Sequence, residues 1–154
     1  MQNILILGVA GGSVVKTIVN EIKYNGKLTG VEIDEEIIKI ANNYFKLNEI
    51  KNLEIVIDDA FEFVLKSKEK YDLIVVDIFE DSKMPNFLYE TYFNRRLAFL
   101  LNINGFILFN TMILNTDYRN NLSYKKQFDT EDFKVSSIPN LEQFNELIIV
   151  EKVK

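Results

Sequence analysis

Short apolar runs alternate with amphipathic segments along the whole chain. A continuous apolar run predicts a strand covered on both faces, and the clearest examples lie at residues 3–9 and 71–78. Further strands are predicted at residues 27–33, 53–58 and 106–112. Residues 133–139 and 146–152 predict a hairpin at the end of the chain.

The segments between the first strands carry signals for helices. Ser13 precedes apolar residues at helical spacing and is predicted to cap that helix. Asp34 is predicted to cap a second helix, whose first turn is acidic. Asp59 and Glu62 have the spacing of a capping box, which predicts the start of a third helix.

The second half of the chain continues this alternation. Residues 79–87 are predicted to be irregular, and a helix from about residue 89 to 101 is expected to stop at Asn104-Gly105. A polar helix is predicted at residues 116–126. Alternating strands and helices form a mostly parallel sheet with helices on both faces. The sequence therefore predicts one doubly wound α/β domain over residues 1–154.

Composition and charge narrow the chemistry. The chain has no cysteine and no histidine, which excludes disulfides, thiolate catalysis and histidine-based triads or zinc sites. A net charge of −5 argues against binding to nucleic acid backbones. No apolar run reaches the ~18–20 residues that cross a bilayer, and the start lacks the basic region of a signal peptide. We therefore expect a cytoplasmic protein that acts on a small molecule and binds neither nucleic acid nor membrane. A homo-oligomer is possible.

The loop after the first strand is rich in glycine. It comprises Gly8, Val9, Ala10, Gly11 and Gly12. Ligands of open α/β sheets bind beyond the carboxyl ends of the strands, and glycine lets a ligand approach the backbone closely. A bare turn would need fewer glycines, so a ligand is favoured. The loop lacks the second and third glycines of the dinucleotide fingerprint G-x-G-x-x-G, so a dinucleotide oxidoreductase is the weakest candidate.

Acidic residues close the next two strands. Glu32, followed by Ile33, lies in an apolar run where an unpaired charge is costly, and its carboxylate can accept both hydrogen bonds of a ribose diol. Asp59 and Ala60 stand at the end of the third strand, where they can contact an adenine. Helix capping alone explains Asp59 equally well, so both interpretations stay open.

Two further carboxylates follow the fourth strand. Asp77 ends that strand, where the tail of a bound nucleoside or an acceptor amine would lie, and Glu80 comes three residues later. A pair of carboxylates can bind a cationic amine and accept its proton, so both are candidate catalytic residues. For Glu80 alone, a solvated acidic loop is slightly favoured over a catalytic role, because Asp81 follows directly. The acids lie at separate strand ends, so no metal site is predicted.

In this order and spacing, the motifs resemble the spermidine synthase-like branch of the class I S-adenosylmethionine-dependent methyltransferase superfamily. ILILGVAGGS is similar to the glycine-rich first motif and VEIDEEIIKIANNYF to the acidic second motif. VIDDAFEFV and KYDLIVVDIF resemble the third and fourth motifs, and LYETYFNRRLAFLLNINGFILFN the helix and strand that follow. The likeness covers nearly the whole chain and implies the strand order 3-2-1-4-5-7-6, with the last strand antiparallel.

The resemblance also implies a cofactor and residues that bind it. The cofactor is S-adenosylmethionine or its decarboxylated form. By the resemblance, Gly8, Gly11 and Gly12 line its methionine and ribose side. Glu32 holds the ribose hydroxyls and Asp77 the amino-acid end. Asp59 and Ala60 contact the adenine.

Two departures from the family affect the expected reaction. Aminopropyltransferases carry Asp-x-x-Asp-Pro after the fourth strand, and their second Asp deprotonates the attacking amine. This chain has Glu80 and Asp81 where that Asp and the Pro stand. The first strand begins almost at the amino terminus, so the β-domain that precedes it in those enzymes is expected to be absent.

These departures favour methyl transfer, which needs little acid–base help. The leading prediction is an S-adenosylmethionine-dependent methyltransferase with a small, unidentified acceptor. The walls of the acceptor site are expected among Phe79, Phe87, Tyr89 and Tyr92. The alternatives are aminopropyl transfer from decarboxylated S-adenosylmethionine and a non-catalytic nucleoside-binding module that a partner subunit completes.

Overall fold

A seven-stranded sheet runs through the computed structural model, which describes residues 2–80, 83–113, 117–141 and 144–154. Its strands are β1 Asn3–Leu7, β2 Lys27–Glu32, β3 Leu53–Ile57, β4 Tyr71–Val76, β5 Leu101–Met112, β6 Phe133–Leu141 and β7 Asn145–Lys152. Their order is β3-β2-β1-β4-β5-β7-β6. The strands from β1 to β5 pair in parallel, and β7 is antiparallel to both of its neighbours. The predicted fold class and strand order are confirmed.

Helices connect the strands on both faces of the sheet. They are α1 Ser13–Lys16, α2 Glu35–Phe45, α3 Ala60–Lys66, α4 Thr91–Leu100 and α5 Asp117–Gln127. A π-helical turn, Thr17–Glu21, continues α1, and 3₁₀ turns lie at Leu47–Glu49 and Asn86–Tyr89. None of the helices in the described part of the chain is both long and apolar enough to cross a membrane. Residue 116, the predicted start of the last helix, lies outside the described residues.

The apolar core has two parts because side chains alternate across the sheet. Ile4 and Ile6 of β1 lie in a cluster that includes residues of α1 and α2. Leu5 and Leu7 lie in a second cluster that includes residues of α3, α4 and α5. The continuous apolar run of β1 is therefore buried on both sides, as the sequence predicts for a central strand.

Acidic residues cap two of the helices as predicted. Asp34 accepts hydrogen bonds from the backbone N–H groups of Glu36 and Ile37 at the start of α2. Asp59 accepts from the N–H groups of Phe61 and Glu62 at the start of α3. The reciprocal half of the predicted capping box is not formed, because the N–H of Asp59 donates to the carboxylate of Asp58.

The predicted cap of α1 is wrong. Gly12 occupies the position before the helix with a φ of 80°, and no side chain caps this end. Ser13 is already the first helical residue. A left-handed residue is needed at this entry, and glycine adopts that conformation without the penalty that a Cβ brings.

The predicted end of α4 is also wrong. The helix ends at Leu100, and Leu101 already pairs with Tyr71 of β4. The next pair is Leu73 with Phe106, so β5 carries extra residues that bulge out of the ladder. Asn104 lies in this bulge with a φ of 62°. The Asn-Gly signal therefore marks a bulge within a strand and not the end of a helix.

Candidate functional site

A cavity of about 250 Å³ opens at the carboxyl ends of β1, β2, β3 and β4. This is the edge at which open α/β sheets bind ligands. Its lining comprises Gly8, Ala10, Val31, Glu32, Ile33, Ile37, Asp58, Asp59, Ala60, Asp77, Ile78, Phe79, Glu80 and Phe87. Residues from all four predicted strand ends therefore meet in one cavity.

The glycine loop follows β1 and packs tightly against its surroundings. Gly8 has a φ of 88°, and a Cβ at this residue would lie 2.1 Å from the carbonyl oxygen of Asp77. A Cβ at Gly12 would lie 2.6 Å from a side-chain carbon of Leu47. Val9 is buried in the core, and Val9, Gly11 and Gly12 are not part of the cavity lining. Part of the glycine content therefore serves the packing of the loop itself.

Glu32 ties the second strand end to the glycine loop. Its Oε2 accepts hydrogen bonds from the N–H groups of Val9 at 3.1 Å and Ala10 at 3.0 Å. Its Oε1 accepts from the N–H groups of Ile33 at 3.0 Å and Asp34 at 3.1 Å. A carboxylate offers about four lone-pair positions, so these four bonds use its capacity. The charge that the sequence places in an apolar run is thus fully partnered.

The third strand end presents apolar and acidic groups to the cavity. Asp59 and Ala60 both line it, and Asp59 at the same time caps α3. Ile33 also lines the cavity and is 65% exposed, although it is a large apolar residue. Exposed apolar surface at a cavity wall is typical of a binding site for a flat, partly apolar group.

Asp77 lies where β4 leaves the sheet, and β5 holds its side chain. Asn110 of β5 donates from Nδ2 to Asp77 Oδ1 at 2.8 Å. The Oδ1 of Asn110 in turn accepts from Nδ2 of Asn145, at the start of β7, at 3.0 Å. Sequence analysis did not single out Asn110 or Asn145. The rule that polar residues at carboxyl strand ends form the site would have pointed to Asn110.

Glu80 stands on a tight turn at the mouth of the cavity. Its backbone N–H and C=O both bond to the backbone of Lys83, each at 2.8 Å. Its side chain is exposed and lines the cavity together with those of Phe79 and Phe87. Asp81, which follows it, lies outside the described residues.

The aromatic residues predicted for the acceptor walls are thus divided. Phe79 and Phe87 line the cavity. Tyr89 and Tyr92 do not, since Tyr89 bonds to Thr111 and Tyr92 is 63% exposed.

The charge of the cavity lining is of one sign. Five carboxylates line it, those of Glu32, Asp58, Asp59, Asp77 and Glu80, and no lysine or arginine is among the described lining residues. Within the described parts of the chain, no group of three or more acidic side chains is close enough together to hold a metal ion. Such a cavity favours an organic cation.

The fold and the site together define a protein of the class I methyltransferase plan, and solved structures share it. Human methyltransferase-like protein 13, solved in complex with SAH, aligns with a TM-score of 0.82 over 98% of this chain and 72% of that one, at 18% identity. A probable spermidine synthase from Corynebacterium glutamicum aligns with a TM-score of 0.81 over 98% and 56%, at 19% identity. At these identities the likeness establishes the fold alone.

The family follows from the sequence comparisons. The model of the spermine/spermidine synthase domain matches residues 1–147, and the chain belongs to this family. A polyamine aminopropyltransferase from Buchnera aphidicola subsp. Schizaphis graminum is 32% identical over 152 residues, which are 91% of this chain and 52% of the relative. Polyamine aminopropyltransferases of Prochlorococcus marinus also match, over 39% of their length. The chain thus spans about half the length, or less, of these curated relatives.

These matches correct the leading prediction of a methyltransferase. The family model and the matching curated relatives are of spermine/spermidine synthase type and not of methyltransferase type. The prediction gave too much weight to the missing Asp and Pro after β4. In the structure Glu80 keeps a carboxylate in the lining of the same cavity.

Proposed function

We propose that this domain transfers an aminopropyl group from decarboxylated S-adenosylmethionine to an amine acceptor. One observation carries the proposal: the cavity at the strand ends is lined by five carboxylates and by no described cationic side chain. Both partners in this reaction are cations, namely a sulfonium with a terminal ammonium and an amine that is protonated in water. The family of the chain and its aminopropyltransferase relatives support the same reaction.

The choice of donor rests on which groups are free to bind a carboxylate. S-adenosylmethionine carries a carboxylate that its decarboxylated form lacks. The N–H groups of Val9 and Ala10, the obvious backbone donors of the glycine loop, already bond to Glu32. Since no described lysine or arginine lines the cavity, the carboxylate of S-adenosylmethionine would find only negatively charged side chains among the charged groups of the lining. The absence of that group removes an electrostatic penalty, so the lining fits the decarboxylated donor better.

The nucleoside part of the donor fits the apolar and acidic walls. We assign the adenine to the wall formed by Ile33 and Ala60, with Asp59 at its edge. We assign the ribose to Glu32. Because Glu32 already accepts four hydrogen bonds, the ribose hydroxyls must replace some of its backbone donors. Nucleoside binding is therefore expected to shift the glycine loop.

Two of the remaining three carboxylates, those of Asp77 and Glu80, have separate roles. Asp77 holds the ammonium end of the donor and so fixes the aminopropyl chain. Glu80, at the mouth, binds the acceptor amine and takes a proton from it. The donor supplies an activated carbon next to its sulfonium. The amine nitrogen forms a bond to that carbon, the carbon–sulfur bond breaks with its electron pair going to sulfur, and the products are the aminopropylated amine and neutral 5′-methylthioadenosine.

The proposal is tested by measuring release of 5′-methylthioadenosine from decarboxylated S-adenosylmethionine with a series of linear diamines and with spermidine. We expect release that depends on the amine. Glu80→Gln should keep donor binding and slow turnover by about 100-fold or more. Glu90→Gln is the matched control, because Glu90 is exposed beside α4 and outside the cavity lining.

Two results would contradict this account. Unchanged turnover in Glu80→Gln would remove Glu80 from the mechanism. A protein that binds the donor but releases no 5′-methylthioadenosine with any of these amines is not an aminopropyltransferase by itself. That result would favour a nucleoside-binding module that needs a partner subunit.

A further inference from the structure

The side chain of Asp77 is held by two asparagines that follow one another across the sheet. Asn110 Nδ2 donates to Asp77 Oδ1 at 2.8 Å, and Asn145 Nδ2 donates to Asn110 Oδ1 at 3.0 Å. The three residues lie on adjacent strands, on β4's end, β5 and β7 respectively. Only Asp77 of the three lines the cavity. The two amides therefore act on the cavity only through Asp77.

We propose that Asn110 and Asn145 form an amide relay that positions Asp77 to bind the ammonium group of the donor. The inference rests on the proposed function, and it adds two positioning residues outside the cavity. An asparagine amide can point its oxygen or its nitrogen at a neighbour. A carboxylate accepts hydrogen bonds only, so Asn110 must present nitrogen to Asp77 and oxygen to Asn145. Asp77 thus selects the orientation of the Asn110 amide, and the donor group of Asn145 stabilises that orientation from the other side.

The start of β7 is itself held rigidly. Glu146, the neighbour of Asn145, is 4% exposed. Its Oε1 accepts from Lys125 Nζ at 2.8 Å, and its Oε2 accepts from Asn121 Nδ2 at 2.9 Å. Asn121, which is fully buried, also donates to the backbone carbonyl of Met112 at the end of β5. Hydrogen bonds from α5 therefore connect the end of β5 with the start of β7, next to Asn110 and Asn145.

The relay leaves one side of the Asp77 carboxylate for the ligand. Oδ1 is engaged by Asn110, so the carboxylate cannot rotate freely when the cavity is empty. A group that is already oriented loses less entropy when it binds an ammonium. Without the relay, Asp77 would still carry its charge, but the orientation of its carboxylate would vary.

The same strands offer a matched control at their other ends. Asn102 of β5 donates from Nδ2 to Asp72 Oδ1 of β4 at 2.8 Å. This is the same amide–carboxylate bond between the same two strands, and neither residue lines the cavity. Asn102→Leu will therefore show any general effect of removing such a bond on the protein. It will not show an effect that acts on the ligand through the cavity.

The test compares the affinities of two ligands, only one of which carries an ammonium group. Decarboxylated S-adenosylmethionine has a sulfonium and an aminopropyl chain that ends in the ammonium, whereas 5′-methylthioadenosine is neutral and lacks that chain. We expect Asn110→Leu to weaken binding of the first by about tenfold and to leave the second unchanged, with a kcat/KM lower by about 10- to 100-fold. Asn145→Leu should have a smaller effect of the same kind. Asn102→Leu should change neither affinity.

The double variant distinguishes a relay from two independent contributions. If Asn145 acts only through Asn110, then Asn110→Leu/Asn145→Leu binds the donor as Asn110→Leu alone does. Additive losses would overturn the relay, and so would equal losses for the two ligands.

A failure of the proposed function can be told apart from a failure of the relay. If the wild-type protein binds neither ligand, the proposed function fails, and the side-chain amide NMR signals of Asn110 then decide about the relay. The relay predicts that Asp77→Asn and Asn145→Leu both shift these signals while Asn102→Leu does not. Signals that respond to neither of the first two variants would overturn it.

Discussion

Gly8 lies so close to Asp77 that a Cβ at Gly8 would be 2.1 Å from the Asp77 carbonyl oxygen. The backbone of the glycine loop therefore rests directly on the end of β4. In the proposed site the loop faces the nucleoside and Asp77 faces the ammonium group. The contact thus joins the two halves of the donor site, and a movement of the loop is expected to displace the backbone of Asp77.

Gly8→Ala is expected to destabilise the protein strongly. The new methyl group would collide with the Asp77 carbonyl, and the φ of 88° is unfavourable for alanine. Together these effects cost about 2–4 kcal/mol of the free energy of unfolding, measured by urea denaturation. Gly11→Ala is the control, because its nearest neighbour would be a carbon of Phe45 at 3.5 Å, an ordinary contact. Equal losses for the two variants would contradict this interpretation.

Glu32→Gln is expected to loosen the glycine loop. An amide offers one oxygen, so its NH₂ group would face two of the backbone N–H groups that the carboxylate now accepts. The expected loss is about 2–3 kcal/mol of the free energy of unfolding, together with weaker binding of 5′-methylthioadenosine. Glu36→Gln changes an exposed residue paired with Lys39 on α2, and it should alter neither quantity. A stable Glu32→Gln protein would show that the four bonds matter little.

Glu146 is expected to make stability depend on acidic pH. Burial alone would raise the pKa of Glu146, but hydrogen bonds from Lys125, Ser137 and Asn121 and the charge of Lys125 hold it below its usual value. A carboxylate whose folded pKa is lowered stabilises the protein fully above its unfolded pKa, near 4.3. That stabilisation is lost as the pH falls from there through the folded pKa.

Glu146→Gln tests this dependence. The variant should be less stable than the wild type at pH 7 by about 1–3 kcal/mol, and the difference should shrink as the pH falls below about 4.3. Urea denaturation at pH 7, 5 and 3.5 measures it. Glu131→Gln, which removes an exposed pair with Lys154, should show no such trend. A difference for Glu146→Gln that stays constant with pH would contradict the assignment.

Tyr124→Phe is expected to leave the protein as stable as the wild type or more stable, by about 1 kcal/mol. The Tyr124 hydroxyl is buried and has no hydrogen-bond partner in the described part of the chain. Burial raises the pKa of this phenol, so the group stays protonated at any pH near neutral. Tyr89→Phe is the contrast, because it removes a 2.9 Å bond to Thr111 and should destabilise. Thermal unfolding of both variants compares them, and a clear loss for Tyr124→Phe would reveal a missed partner.

The strands, and the edge of the sheet at which the cavity lies, could be predicted from the sequence. The run at β1 is apolar throughout because both of its faces are buried, and the acids at the following strand ends interrupt such runs visibly. Local signals were less reliable. Asn104-Gly105 is a true turn signal, yet whether it ends a helix or makes a bulge depends on the pairing of Leu101 with Tyr71.

Contacts between distant residues could not be predicted. Two of the four bonds of Glu32 require the loop after β1 to fold back over the end of β2. Asn110 reaches Asp77 because β5 lies next to β4, and Asn145 reaches Asn110 because β7 lies next to β5, whereas in the sequence both are ordinary polar residues of strands. The reaction was predicted wrongly because local departures from the family pattern, Glu80 and Asp81 in place of Asp and Pro and the expected absence of the preceding β-domain, were given more weight than the likeness of the whole chain to the family.

The most direct test of the central claim is a calorimetric titration of this protein with decarboxylated S-adenosylmethionine and with S-adenosylmethionine. The all-acidic lining of the cavity predicts that the decarboxylated donor binds at least about tenfold more tightly. Equal or tighter binding of S-adenosylmethionine would contradict the proposed donor.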